Sequence, residues 1–100
     1  MDRLAVDVHP EAIAEARAAF QWYQSRSDDA ANAFLAEIDL GVESIRTVPE
    51  LYPPYLHGTR CYLPRRFPYL IVYRATSATV HIYAIAHSRR RPGYWKARST

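Results

Sequence analysis

Arginine is the side chain with the most evident chemistry in this sequence, and it is distributed unevenly. Twelve of the thirteen basic residues are arginine. The first fifty positions hold all ten acidic residues and four basic ones, whereas the last fifty hold nine basic residues and no acidic one. The halves therefore carry formal charges of about −6 and +9. Guanidinium groups form paired hydrogen bonds with phosphate and carboxylate, so this segregation predicts an anionic partner more readily than a face that is merely solvated.

Aromatic residues are interleaved with the arginines of the second half, most densely in the basic, turn-forming tail at residues 88–98. Arginine contacts phosphate and an exposed aromatic ring stacks on a base, so the combination is typical of surfaces that bind nucleic acid. The residues expected to contact a target or nucleic acid are the basic or aromatic ones Arg60, Arg65, Arg66, Arg74, Arg90, Arg91, Trp95 and Lys96.

Cysteine and histidine give no sign of a disulfide or a metal site. The single Cys61 cannot form an internal disulfide, and no Cys/His cluster has the spacing of zinc ligands. Cys61 has no activating base near it in sequence, which favours a structural thiol. We therefore expect no metal and no cofactor. The sequence has no signal-peptide pattern and no apolar run near the roughly 18 residues of a membrane span, so we expect a cytoplasmic protein with no membrane partner.

Two amphipathic helices are predicted in the acidic half, after a first strand at residues 4–8. His9-Pro10-Glu11 begins the first helix, because proline suits the first helical position and a carboxylate favours the positive end of the helix dipole. Ser27 caps the second helix, which ends before Pro49. The short turn between them predicts an antiparallel hairpin. The apolar stripes that should face the core are Ile13, Ala16, Phe20 and Tyr23, then Ala31, Phe34, Leu35, Ile38, Val42 and Ile45.

The hydrophobic period changes from about 3.6 to about 2 after the helices, which predicts three strands at residues 58–63, 67–73 and 79–87. The middle strand is apolar on both faces and should therefore lie at the centre of a sheet. In the last strand, the small residues should lie under the helices: Val80, Ile82, Ala84 and Ala86. The intervening residues include two histidines and a tyrosine and should face an open side: His81, Tyr83, Ile85 and His87.

The predicted fold class is α+β, with the element order β-α-α-β-β-β. A helical hairpin packs on one face of a small, mostly antiparallel four-stranded sheet, and the opposite face is open, concave and basic. The sequence does not indicate which strand pairs with the first. Residues 1–100 are expected to form one domain, in which residues 88–100 are a basic aromatic tail.

The order of these features resembles the RelE/ParE superfamily of toxins from bacterial type II toxin–antitoxin modules. The similarity covers essentially the whole chain, although no single motif is diagnostic. It implies a small toxin that is neutralised by a cognate antitoxin encoded beside it. The segments that carry the resemblance are His9-Pro10-Glu11-Ala12, Trp22-Tyr23, Phe34-Leu35, the crossing at 49–54, Arg65-Arg66-Phe67-Pro68-Tyr69, Val72-Tyr73-Arg74 and Ala84-Ile85-Ala86-His87-Ser88-Arg89-Arg90.

The superfamily divides between ribosome-dependent mRNA endonucleases and inhibitors of DNA gyrase. For a metal-independent nuclease, the resemblance implies His87 as acid or base, Arg89 on the scissile phosphate and Tyr94 or Trp95 stacked on a base. The RelE-like nucleases, however, carry an arginine where Leu70 stands, and their lysine cluster before that strand is missing. No carboxylate follows Glu50. These departures favour a ParE-like gyrase inhibitor, with the endonuclease and a non-toxic nucleic-acid-binding domain as alternatives.

An antitoxin is the partner that the resemblance implies most directly. The basic half and its aromatic residues match an acidic, amphipathic segment that folds on binding. We expect the antitoxin to wrap the helical hairpin and to shield the basic face of the sheet. The residues expected to bind it are aromatic: Trp22, Tyr23, Tyr69, Tyr73 and Tyr83.

Overall fold

The computed structural model describes residues 3–99, and its elements follow the predicted order. Positions 1, 2 and 100 of the predicted domain lie outside the described residues. The α+β class, with two helices packed on a four-stranded sheet, is confirmed. Short 3₁₀ turns occupy Pro49–Leu51, Leu56–Gly58 and Lys96–Ser99. The helices are α1 (Pro10–Gln24) and α2 (Asp28–Thr47), and the strands are β1 (Ala5–Val8), β2 (Arg60–Tyr62), β3 (Tyr69–Ala75) and β4 (Thr79–His87).

β1 lies at one edge of the sheet, whose strand order is β1-β4-β3-β2. It runs parallel to β4, whereas the β2–β3 and β3–β4 pairs are antiparallel. β3 is one of the two inner strands, as its two apolar faces predict, and β4 is the other. β1 ends with Val8 opposite Ile82, so the C-terminal half of β4 has a free edge on that side.

Side-chain caps fix where the two helices begin. The Nδ1 atom of His9 accepts a hydrogen bond from the backbone N–H of Glu11 at 3.1 Å, and Pro10 follows as the first helical residue. The Ser27 hydroxyl accepts from the backbone N–H of Ala30 at 3.2 Å. Each cap satisfies a donor that has no partner inside the helix, which confirms both predicted starts.

The helices face the core through smaller residues than predicted. Ile13 and Leu35 remain 45% and 39% exposed, so their assignment to the core stripes is wrong. Ala12 and Ala19 are buried instead, together with Phe34, which is fully buried in α2. One residue changes the direction of a helical side chain by about 100°, so a narrow apolar stripe does not fix the rotation of the helix.

A β-bulge in β4 changes which of its side chains face the helices. Val72 pairs with Ala84 and Tyr73 pairs with Ile82, so Tyr83 is an extra residue in β4. Ile82 packs in the core under the helices, but beyond the bulge it is Ile85 that does so, while Ala84 packs on the opposite face. The predicted uninterrupted alternation is therefore wrong, because an inserted residue inverts the faces that follow it. His87 consequently lies on the helix side of the sheet.

The tail covers the sheet face opposite the helices. Trp95 is 1% exposed and packs with Val72, Ala84 and Ala86, where the two alanines leave room for the indole ring. The expectation of an open basic face with an exposed Trp95 is therefore wrong. Within residues 3–99, no helix combines the length and apolar character that a membrane span requires.

Candidate functional site

A cleft of about 510 Å³ opens between α1 and the ends of β3 and β4. It combines residues that the sequence assigned to different roles. Trp22, Tyr23 and Tyr69 were expected to bind an antitoxin, His87 and Tyr94 to act in a nuclease, and Arg90 to contact a target. The lining residues are Glu15, Ala18, Ala19, Trp22, Tyr23, Pro68, Tyr69, Ile85, His87, Arg90 and Tyr94.

The α1 wall of the cleft presents an exposed indole ring. Ala18 and Ala19 are too small to fill the space beside the helix. Trp22, near the C-terminal end of α1, is 53% exposed. The Trp22 ring meets Tyr23 edge to face, with 5.1 Å between ring centroids. The Arg26 guanidinium lies 3.7 Å from the centroid of the indole ring and donates to the Trp22 carbonyl at 3.2 Å. These contacts orient Trp22 while leaving half of it in solvent.

The sheet wall of the cleft holds Tyr69 against His87. The two residues pair across β3 and β4, and their ring centroids are 5.0 Å apart in an edge-to-face arrangement. The backbone N–H of Arg89 donates to Nδ1 of His87 at 3.0 Å, so the neutral ring carries its proton on Nε2. Burial raises the pKa of the Tyr69 phenol, and the nearby Tyr23 phenol adds to this rise. Tyr69 therefore remains a neutral hydroxyl group at physiological pH.

Glu15 closes the inner end of the cleft and ties the tail to α1. Its carboxylate accepts from the backbone N–H of Ile85 at 3.1 Å, the Tyr94 hydroxyl at 2.5 Å and the Arg98 guanidinium at 3.0 Å. Arg98 also donates to the Tyr83 carbonyl at 3.2 Å. Because β1 ends at Val8, opposite Ile82, these side chains satisfy backbone groups on the free edge of β4.

Tyr94 is consequently a fixed hydrogen-bond donor. Burial raises the pKa of its phenol, and the hydrogen bond to the Glu15 carboxylate raises it further. Neither Glu15 nor Arg98 was among the predicted site residues. No local signal in the sequence marks this pair, because the two residues are 83 positions apart and each resembles an ordinary charged surface residue.

Two of the predicted target-binding arginines are committed to the fold. Arg60 donates to the Tyr52 carbonyl at 2.7 Å. Arg74 donates to the carbonyls of His57 at 2.8 Å and of Ser99 at 3.1 Å. These guanidinium groups satisfy backbone acceptors of loops and of the tail, so the sheet end that holds them is not a free basic surface.

Five other arginines lie in two segments that adjoin the cleft through Pro68 and Arg90. The loop before β3 and the turn after β4 are adjacent because the backbone N–H of Ser88 donates to the Pro68 carbonyl at 2.7 Å. The Arg66 side chain is 65% exposed although it contacts Glu37 at 3.2 Å, and the Arg90 guanidinium lies 3.8 Å from the Tyr94 ring centroid. We call this group the arginine end, and its members are Arg65, Arg66, Arg89, Arg90 and Arg91.

The other predicted site residues lie outside the cleft. Tyr73 is completely buried and its hydroxyl donates to the Pro49 carbonyl at 2.6 Å, so its expected place on a binding surface is wrong. Tyr83 lies beside Arg74, and Lys96 is exposed on the terminal turn. Burial raises the pKa of the Cys61 thiol to about 11, which supports the structural role predicted for it. Among residues 3–99, no group of three or more metal-ligating side chains is placed to hold an ion.

Comparison with known proteins places this fold in a family. The ParE toxin family, described as the "ParE toxin of type II toxin-antitoxin system, parDE", matches residues 6–92. A solved chain from the chromosomal ParDE TA system of P. aeruginosa has the same fold, with a TM-score of 0.72 at 18% identity, and the match covers 85% of this chain and 96% of that one. No curated protein is significantly similar in sequence. Because the family match spans both helices and nearly all of the sheet, the chain belongs to the ParE toxin family of type II toxin–antitoxin systems.

Proposed function

We propose that this chain inhibits growth by acting on DNA gyrase and that a cognate antitoxin neutralises it. The observation that carries the proposal is the ParE family match over residues 6–92. A gyrase inhibitor needs a surface for a macromolecular partner and no acid–base pair of its own. The exposed Trp22 and the arginine end supply such a surface, since tryptophan and arginine are the residues most often dominant in binding energy.

The geometry of the cleft supports binding more strongly than RNA cleavage. Cleavage needs a base near the attacking hydroxyl and an acid near the leaving oxygen. The Tyr94 hydroxyl already donates to Glu15, and the Glu15 carboxylate accepts three hydrogen bonds. Of the residues implied for a nuclease, only Nε2 of His87 and the Arg89 side chain remain free of contacts within residues 3–99.

One observation favours the mRNA endonuclease as a second candidate. His87 lines the cleft beside Arg90, so an imidazole Nε2–H group and a cation share one accessible site. The two candidates separate in a supercoiling assay with purified gyrase and relaxed plasmid. The gyrase proposal expects the wild-type chain and His87→Ala to inhibit supercoiling equally. The endonuclease would replace the gyrase proposal if the wild-type chain leaves supercoiling intact but cuts ribosome-bound message. His87→Ala should then lose this cutting activity.

The antitoxin is proposed to bind in two parts. A groove of about 450 Å³ between α1 and α2 is largely apolar, and Ile13 is exposed beside it. Glu43 is paired with Arg46 at 3.0 Å, which leaves Asp39 to repel an acidic segment, so the groove suits the apolar side chains of the antitoxin. The acidic residues of the antitoxin would instead contact the arginine end.

Co-expression tests this arrangement. The adjacent gene product should restore growth and soluble yield of the wild-type chain. Ile13→Asp should weaken the complex, whereas the matched change Val6→Asp, at a 36% exposed residue on β1, should not. Equal binding by both variants would remove the groove from the proposed interface.

A further inference from the structure

We propose that the cleft binds one unpaired nucleotide of a single-stranded nucleic acid, with the base against the aromatic wall and the phosphates on the arginine end. This goes beyond gyrase inhibition and antitoxin binding, neither of which requires the chain to contact nucleic acid, whereas the mRNA endonuclease named as second candidate would need such a site. The site also differs from the open sheet face that the sequence suggested, since Trp95 fills that face.

The aromatic wall is rigid and partly exposed, as a stacking platform must be. Tyr23 and Tyr69 both pack on the fully buried ring of Phe34, with centroid distances of 5.4 and 5.2 Å. Trp22 continues this wall into solvent. Aromatic rings held in place by a packed core lose little freedom when a base stacks on them, so most of the stacking energy is retained as affinity.

Polar groups without partners lie along the same wall. The hydroxyls of Tyr23 and Tyr69 and the Nε2 atom of His87 form no hydrogen bond within residues 3–99, and all three residues line the cleft. The edges of a base carry several donors and acceptors that can satisfy such groups. An apolar peptide side chain would cover them without satisfying them, which is costly. The wall therefore suits a base better than a leucine-like anchor.

Charge around the cleft favours a phosphate backbone. Arg90 lies in the lining, and the Arg26 guanidinium lies 3.7 Å from the Trp22 ring centroid. Glu15 is the carboxylate in the lining, and its charge is paired with Arg98 at 3.0 Å. A strand threaded past the cleft would thus meet cations on both sides of the bound base and no unpaired carboxylate in the lining.

The test is a binding titration of the purified chain, free of antitoxin, with a fluorescein-labelled oligothymidylate of ten nucleotides. Polarisation should report binding that weakens with salt, and Trp22 fluorescence should be quenched while that of the buried Trp95 is retained as a check of folding. Trp22→Ala should bind about tenfold more weakly, since one base stack is lost, and Trp22→Phe should retain most of the affinity. Arg90→Ala should lower the salt slope by about 0.7, as expected for one phosphate contact on a single strand.

Arg17→Ala is the matched control, because Arg17 is an exposed α1 residue that does not line the cleft. It removes the same charge and should change the affinity by less than about twofold. Oligouridylate of equal length shows whether the natural strand is DNA or RNA, and binding of either supports the proposal.

Any one of four results would overturn the proposal. The first three are failure of both oligonucleotides to bind at low salt, equal effects of Trp22→Ala and Arg17→Ala, and equal competition by a blunt duplex. The proposal would also be overturned if an acidic peptide quenches Trp22 fluorescence and neither oligonucleotide does. No gyrase is present in this titration, so its failure would leave the supercoiling result unaffected.

Discussion

Replacing Glu15 by alanine removes the acceptor that holds the tail against α1 and the free edge of β4. Three donors lose this acceptor: the Ile85 N–H, the Tyr94 hydroxyl and the Arg98 guanidinium, which keeps its hydrogen bond to the Tyr83 carbonyl. A buried polar group left without a partner costs about 1–3 kcal/mol, and breaking a buried ion pair by removing one side costs about 3–5 kcal/mol. The side chains of Glu15 and Arg98 keep 16% and 15% exposure, so water reaches part of this network. We therefore expect a loss of about 3 kcal/mol in the free energy of unfolding.

Urea and thermal unfolding measure this loss directly. A loss of about 3 kcal/mol corresponds to a fall in Tm of roughly 12–24 °C for a domain of this size. Trp95 lies in the tail that Glu15 anchors, so its fluorescence should show whether the tail leaves the sheet before the rest unfolds. Glu15→Gln keeps an amide oxygen as acceptor and should lose about 1–2 kcal/mol.

Glu11→Ala is the matched control for the charge on α1. The Glu11 carboxylate is 66% exposed and lies 4.0 Å from Arg98, so its removal should change stability by less than about 0.5 kcal/mol. Equal losses of unfolding free energy in Glu15→Ala and Glu11→Ala would show that the hydrogen bonds of Glu15 do not anchor the tail.

Two further predictions concern the core and its tyrosines. Burial raises the pKa of Tyr73 to about 12 and also raises that of Tyr94, so these phenols keep their protons in the folded state while the unfolded chain loses them near pH 10. The stabilisation that these two phenols contribute should therefore be fully present below about pH 9 and be lost between about pH 10 and 12 in urea titrations, with a shallower fall in Tyr73→Phe; an unchanged slope would contradict this. Gly41→Ala should destabilise by about 1–3 kcal/mol in the same assay, because the new Cβ would lie 2.7 Å from the Tyr62 ring and 2.9 Å from Ile71 Cδ1; wild-type stability would show that these side chains can move aside.

The features that sequence predicted correctly depend on neighbouring residues. The start of α1 at Pro10 and the cap of α2 at Ser27 depend on residues within three positions, and β4 begins and ends at the predicted residues because its composition and its flanking turns are local signals. Trp22, Tyr23 and Tyr69 also meet in one cleft, since α1 and β3 hold them at adjacent ends. What each of them binds stays a prediction.

The features that sequence missed depend on distant partners. The bulge at Tyr83 exists only in the pairing of β4 with β3, and it moves His87 to the helix side of the sheet. Trp95 is buried because Ala84 and Ala86 leave space on the far face, which its basic surroundings in sequence did not indicate. Glu15 resembles a solvated helix residue until the tail folds back onto it.

The most direct test of the proposed toxin activity is a short pulse of inducible expression in which DNA and RNA synthesis are followed separately. We predict that replication stops and an SOS response begins while messages remain intact. The adjacent antitoxin gene should reverse the arrest, and His87→Ala should have little effect. Messages cut within codons while replication continues, together with loss of the arrest in His87→Ala, would contradict it.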